Sequence, residues 1–221
     1  MSQVTALDVF GDERVAALAD AAAAGDKQAV AELARAGCNV NARGDRGVNL
    51  VQWAFLHQSN AGMTALLSAG ADPSAPDDHG NTVMHYAAAA ENPAMMTALL
   101  EAGVSPDLRN PVKGETPLFT AIMHDREPQF QALLAAGADV DAADAAGNRP
   151  LHQAAKVNDP RRVLVLLEAG ADPRAINGQG VTFQRYLNAM DDALRTAAVR
   201  DAKAAVDGWL RQQGIGVETG A

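Results

Sequence analysis

The chain of 221 residues is poor in several features that announce a function. It carries one cysteine, Cys38, which excludes an internal disulfide framework and any zinc site built from several thiolates. Aromatic residues make up 4% of the sequence although 48% of it is hydrophobic. The apolar content is mostly Ala, Leu and Val, so a core has to be assembled from small side chains at close approach. Basic residues are in deficit, with 18 Lys and Arg against 27 Asp and Glu and a net charge of −9. An acidic chain without a local basic stripe repels phosphate backbones, and nucleic-acid binding is not expected. No apolar run reaches the roughly 18 residues that a membrane span needs. Met1 to Gly11 has neither a basic n-region nor an apolar h-region, so the sequence as given reads as cytoplasmic. The signatures G-x-x-x-x-G-K-[ST], G-x-S-x-G, H-E-x-x-H and C-x-x-C are missing as well. Cys38 has no activating base nearby in sequence and reads as a small packing residue. Asp191 and Asp192 are adjacent carboxylates, but neighbours on a helix point about 100° apart. Neither catalysis nor a cofactor or metal is expected.

What the sequence does have is a period. Ala36-Gly37, Ala69-Gly70, Ala102-Gly103, Ala136-Gly137 and Ala169-Gly170 recur at intervals of 33, 33, 34 and 33 residues. A second series, Gly47, Gly80, Gly114, Gly147 and Gly180, keeps the same step with intervals of 33, 34, 33 and 33. The first series follows apolar helical runs, where the residue past the helix end favours the left-handed region. The second lies in polar turns such as Asp77-Asp78-His79-Gly80-Asn81. Between them Met63, Leu66 and Leu67 reappear as Met96, Leu99 and Leu100, then Phe130, Leu133 and Leu134, then Val163, Leu166 and Leu167. Offsets of three and four put each set on one helical stripe. A helix this short cannot bury its stripe alone, and stacking on neighbours completes the core. Pro117 and Pro150 suit the first position of one helix, and Pro93, Pro128 and Pro160 announce a second. One unit is therefore a turn, a short helix, a tight connection, a second helix and a glycine stop.

The stretches Gly-Asn-Thr-Val-Met-His-Tyr-Ala-Ala (80–88), Gly-Glu-Thr-Pro-Leu-Phe (114–119), Gly-Asn-Arg-Pro-Leu-His-Gln-Ala-Ala (147–155) and Leu-Leu-Ser-Ala-Gly-Ala-Asp (66–72) resemble ankyrin repeats over about residues 16–180. The resemblance implies an all-α ankyrin repeat solenoid of stacked helix-turn-helix units, with short β-hairpin-like tips and helical N- and C-terminal caps. Residues 1–221 then form one domain. An N-cap helix pair spans about 12–37, with helices near 13–24 and 27–36. Regular repeats follow at about 44–76, 77–109, 110–143 and 144–176, then an extended capping repeat at 177–215 and a flexible tail at 216–221. In the last unit the apolar register breaks, and Val206, Trp209 and Leu210 restore it about ten residues late. Lengthened closing helices are expected, with Leu194, Ala198, Ala202, Ala205, Val206 and Trp209 on one buried stripe.

In proteins of this kind partners meet the tips and the concave ends of the first helices. Carried across, the tip contacts are Asp45, Arg46, Asp78, His79, Asn81, Lys113 and Glu115. The helix-end contacts are Leu56, His57, Met123, His124 and Lys156. Trp53 and Phe55 put unusual bulk into the first full unit, so Trp53 is either a further contact or a core residue beneath the N-terminal cap. His85 and His152 share a slot, and the resemblance implies that they hydrogen-bond neighbouring turns. His57 and His124 lie two units apart, too far to share one metal ion.

The leading expectation is a non-enzymatic module that binds a partner protein bearing a basic patch and is a monomer when unbound. Val-Phe-Gly-Asp-Glu-Arg-Val-Ala-Ala-Leu-Ala (9–19) is also similar to the opening of bacterial ankyrin proteins that accompany secreted phospholipase toxins and block them. That implies an immunity or inhibitor protein whose partner is a toxin or effector enzyme, and a periplasmic location if a native leader was removed. The alternatives are a self-associating spacer or regulatory scaffold, and an enzyme with a site in 181–221.

Overall fold

The computed structural model describes residues 4–218, the side chain of Asp192 excepted. The chain divides between Val112 and Lys113 into two compact units. Among the described residues no strand forms. There one antiparallel bridge joins Arg43 to Asn49, and the regular structure of the described residues is helical.

The first unit holds α1 (Ala6–Phe10), α2 (Glu13–Ala24), α3 (Lys27–Arg35), α4 (Leu50–Leu56), α5 (Asn60–Ser68), α6 (Val83–Ala89) and α7 (Ala94–Glu101). Each start has a local cause. Asp12 caps α2 by accepting from the amides of Arg14 and Val15, Asp26 caps α3, and Ser59 caps α5. Helices pair as α2 with α3, α4 with α5 and α6 with α7, and α4 packs on both α2 and α6. Met63, Leu66, Met96 and Leu99 are fully buried at the seams, while Leu67 and Leu100 sit half-buried at the stripe's edge. The approach of α5 to α2 is closest at Gly62, where a Cβ atom would lie 1.8 Å from the Ala22 carbonyl oxygen. The same repeat slot holds Met95, Gln129 and Arg162 further along.

The second unit holds α8 (Pro117–Met123), α9 (Glu127–Ala135), α10 (Pro150–Lys156), α11 (Pro160–Glu168), α12 (Phe183–Leu187) and α13 (Ala197–Gln212). Proline occupies the first turn of α8 to α11. Phe130, Leu133, Val163 and Leu166 are fully buried, and α13 packs on α11. Arg162 is a buried cation in this core. It reaches Asp125 at 2.9 Å, Glu127 at 3.0 Å and Asp159 at 3.0 Å, and lies over the Phe130 ring.

The closing stripe differs from expectation. α12 stops after five residues, and α13 takes its helical phase from the cap at Thr196, so Val206 and Leu210 are buried while Ala198 and Ala205 are exposed. Leu194 precedes α13 in a short turn and is 79% exposed. Residues 216–218 of the expected tail run beside α12. Gln184 donates to the Gly216 carbonyl and accepts from the Glu218 amide, at 3.1 and 2.9 Å. Residues 219–221 of that tail, residues 1–3 of the opening and the Asp192 carboxylate lie outside the described residues.

Candidate protein-interaction surface

Each turn after the first is closed by an Asp or Asn side chain. Asp77 accepts from the amides of His79 and Asn81 (2.9 and 2.8 Å), and Asp144 from those of Ala146 and Asn148 (2.8 and 2.7 Å). Neighbouring turns are joined backbone to backbone. In the first unit the Asp78 amide donates to the Arg46 carbonyl at 3.0 Å. In the second, Ala145 donates to Lys113 and Gly178 to Ala146, at 2.8 and 2.9 Å. The equivalent donor position between these is Pro111, which has no N–H. There the Asn110 side chain takes over and donates to the His79 carbonyl and to Asn81 Oδ1, both at 3.1 Å. Val112, the residue in excess of the period, is 70% exposed.

With the turn backbone committed, side chains are what a partner meets. Asp45, Arg46, Asp78 and His79 are exposed, and Asp78 pairs loosely with Arg43 at 3.6 Å. Asn81 is half-buried; its side chain accepts from Asn110 and its carbonyl from Gln52, so it ties turns together. Lys113 and Glu115 form an ion pair at 3.9 Å. Among the helix ends Leu56 and Met123 are 53% and 50% exposed. His57 and His124 are also exposed, and His57 Nδ1 lies 2.9 Å from the Trp53 carbonyl. Lys156 is exposed as a residue, yet its ammonium donates to Asn148 at 2.7 Å and sits 4.8 Å over the Tyr186 ring.

Trp53 is packed in the core of the first unit. It is 7% exposed, met at a tilt by His57 at 4.3 Å and edge-on by Phe10 at 5.7 Å, so its surface is spent inside the first unit. Phe10 and the helix carrying it were not foreseeable from the period, because α1 belongs to no repeat. The Trp53 slot offers the signal in hindsight: Tyr86 and Tyr186 occupy it later and hydrogen-bond their own turns, through Asp77 at 2.5 Å and Asn177 at 2.8 Å. Burial, and then Asp77, push the Tyr86 phenol well above the usual tyrosine range.

The buried His152 is a joint between turns. His152 Nδ1 accepts from the Arg149 amide at 3.1 Å, which leaves the proton on Nε2 to donate to the Val181 carbonyl of the next turn at 3.1 Å. Burial lowers its pKa, opposed by the Val181 bond and aided by Lys156 and Arg149. In the corresponding slot Gln52 accepts from the Asn49 amide and donates to the Asn81 carbonyl, at 3.0 and 2.8 Å, making the same two bonds without a titratable group. Among the described residues no three His, Cys, Asp or Glu side chains gather in a way that could hold a metal ion. Among the described residues no helix is long and apolar enough to cross a membrane.

A family model described as ankyrin repeats (3 copies) matches residues 18–110 and again 85–177. The chain belongs to the ankyrin repeat family. Ankyrin repeats are protein-interaction modules, typically without enzymatic activity of their own. Protein PhlB of Serratia liquefaciens is 44% identical over 142 residues, which cover 64% of this chain and 62% of PhlB, less than two thirds of that relative. Among solved structures, the ankyrin repeat protein EF0377 aligns with a TM-score of 0.67 at 22% identity, over 86% of this chain and 96% of that one. The ankyrin repeat domain of Bcl-3 aligns at 0.63 and 24% identity, over 87% and 98%. A chain in the complex of the predatory endopeptidase Bd0816 of Bdellovibrio bacteriovorus with immunity protein Bd3460 aligns at 0.64 and 22%, over 87% and 97%.

Proposed function

We propose that this ankyrin repeat protein binds a partner protein through its turn tips and first-helix ends and acts as an immunity or inhibitor protein for a toxin or effector enzyme. One observation carries the reading. Leu56 and Met123 stand half-exposed at the ends of α4 and α8, and apolar anchors of this kind are typical of protein-binding surfaces. The net charge of −9 favours a partner with a basic patch and faster association at low salt. A shared fold with a chain of an endopeptidase–immunity protein complex is in keeping with the immunity role. A secreted phospholipase is the enzyme class suggested by residues 9–19.

The test is affinity capture with the wild-type protein and with Leu56→Asp and Met123→Asp, folding being checked by circular dichroism. One enzyme held by the wild type, inhibited by it at equal molarity and lost from both variants is the expected result. Capture undiminished in both variants, or an enzyme whose turnover is unaffected, refutes the reading. Light scattering across concentrations on the uncaptured protein separates it from the self-associating spacer, which would grow in mass with concentration.

A further inference from the structure

Four observations meet at α1. The first is its fastening. Thr5 and Asp8 cap each other, the Thr5 amide donating to Asp8 at 2.9 Å and the Asp8 amide to Thr5 at 3.2 Å, and the Gly11 amide closes on the Leu7 carbonyl at 2.9 Å. Among the described residues every hydrogen bond made by residues 5–11 stays inside that segment. The helix is therefore held to the first unit by apolar contact alone, through buried Ala6 and half-buried Val9 and Phe10. Its outward side shows Leu7, 48% exposed.

The second is its length. Five residues fall far below what forms a stable helix unaided. The third is the place it occupies. The turn position held by Asp77, Asn110, Asp144 and Asn177 in later repeats is Gly44 in the first, and a Cβ there would lie 2.6 Å from Val9 Cγ1 and 2.7 Å from the Val9 carbonyl oxygen. The turn-closing side chain is gone, and α1 sits in its stead. The fourth is what this leaves behind. Tyr86 and Tyr186 bond that turn residue, whereas Trp53, in the same slot, has a buried indole N–H with no hydrogen-bond partner. Seating α1 buries a donor that the turn can no longer satisfy, and lifting it breaks no hydrogen bond to the repeats.

We propose that α1 is a displaceable cover over Trp53, which opens on its own ahead of the repeats and frees the indole for solvent or for a partner protein. The partner clause rests on the protein-binding reading; the opening does not. Local opening of a segment held in this way exposes its protected groups long before global unfolding.

The experiment is hydrogen exchange of the two indole N–H signals by NMR on the protein alone, with Trp209→Phe assigning them. Trp53 Nε1–H and the Val9 amide are expected to exchange together, roughly 100-fold faster than the Met63 amide in α5, and with a urea dependence far smaller than that of global unfolding. Gly44→Ala, whose new methyl group meets Val9, is expected to raise the Trp53 exchange rate further, red-shift its emission and leave α5 and α7 amides unchanged. Trp53 exchange at the Met63 rate with the full urea dependence of global unfolding overturns the proposal, whether or not Gly44→Ala folds. Fast exchange in a protein that captures no partner leaves the cover standing and removes the protein-binding reading.

Discussion

His152 supports the sharpest stability test, because the molecule contains its own control. In α10 the imidazole joins the Arg149 amide to the Val181 carbonyl, and in α4 the amide of Gln52 joins the corresponding pair. His152→Ala removes an acceptor and a donor together and strands both backbone partners. At about 1–1.5 kcal/mol for each of the two lost bonds the expected cost is about 2–3 kcal/mol. His152→Gln keeps both bonds and is expected within about 1 kcal/mol of wild type. The pH dependence has a definite sign. The fold lowers the pKa of His152, chiefly by burial, so the neutral form is the one it favours. Its contribution is complete above the ordinary histidine value of about 6.5 and is lost as the pH falls through that value toward the lowered one. Urea unfolding followed by circular dichroism at pH 8 and at pH 5 checks both points. Wild type is expected to lose more stability on acidification than His152→Gln. Equal acid sensitivity in the two proteins, or a glutamine variant as weak as the alanine one, refutes the reasoning.

Three further outcomes, at two positions, follow from slots shared between repeats. Arg162→Ala is expected to cost about 3 kcal/mol by urea titration, because it deprives three carboxylates of a buried cation and uncovers the Phe130 ring. Arg162→Met is expected to recover most of that, since the equivalent Met95 packs well in its own repeat. Asn110→Ala is expected to cost about 1–2 kcal/mol and to deprotect the turn at His79 in hydrogen exchange, since the amide group of Asn110 stands in for the N–H that Pro111 lacks.

The parts of the fold that repeat were legible and the parts that occur once were not. Helices at 13–24 and 27–35 coincide with the expected pair because Leu18 and Val30 keep the spacing of later units, and both are fully buried. The stripe through Leu194 failed because the last unit has no successor to impose phase, and a cap at Thr196 sets it instead. At the candidate surface, exposure of Leu56 and Met123 follows from slot position alone. The fates of Trp53 and Lys156 depend on Phe10, Asn148 and Tyr186, whose proximity no period encodes. Asn110 was hidden for a related reason: its bond to the His79 carbonyl stands in for a backbone bond that Pro111 cannot make.

The contact at Gly62 constrains how such an array can change over evolutionary time. Unequal exchange between similar repeats is the easy route to longer or shorter arrays, yet it transplants whole units with their side chains. A unit bearing the methionine, glutamine or arginine of the later copies, moved next to α2, would drive that group into the Ala22 carbonyl. Repeats beyond this junction are free to multiply or shrink, while the unit that follows the N-terminal helices has to be inherited in place.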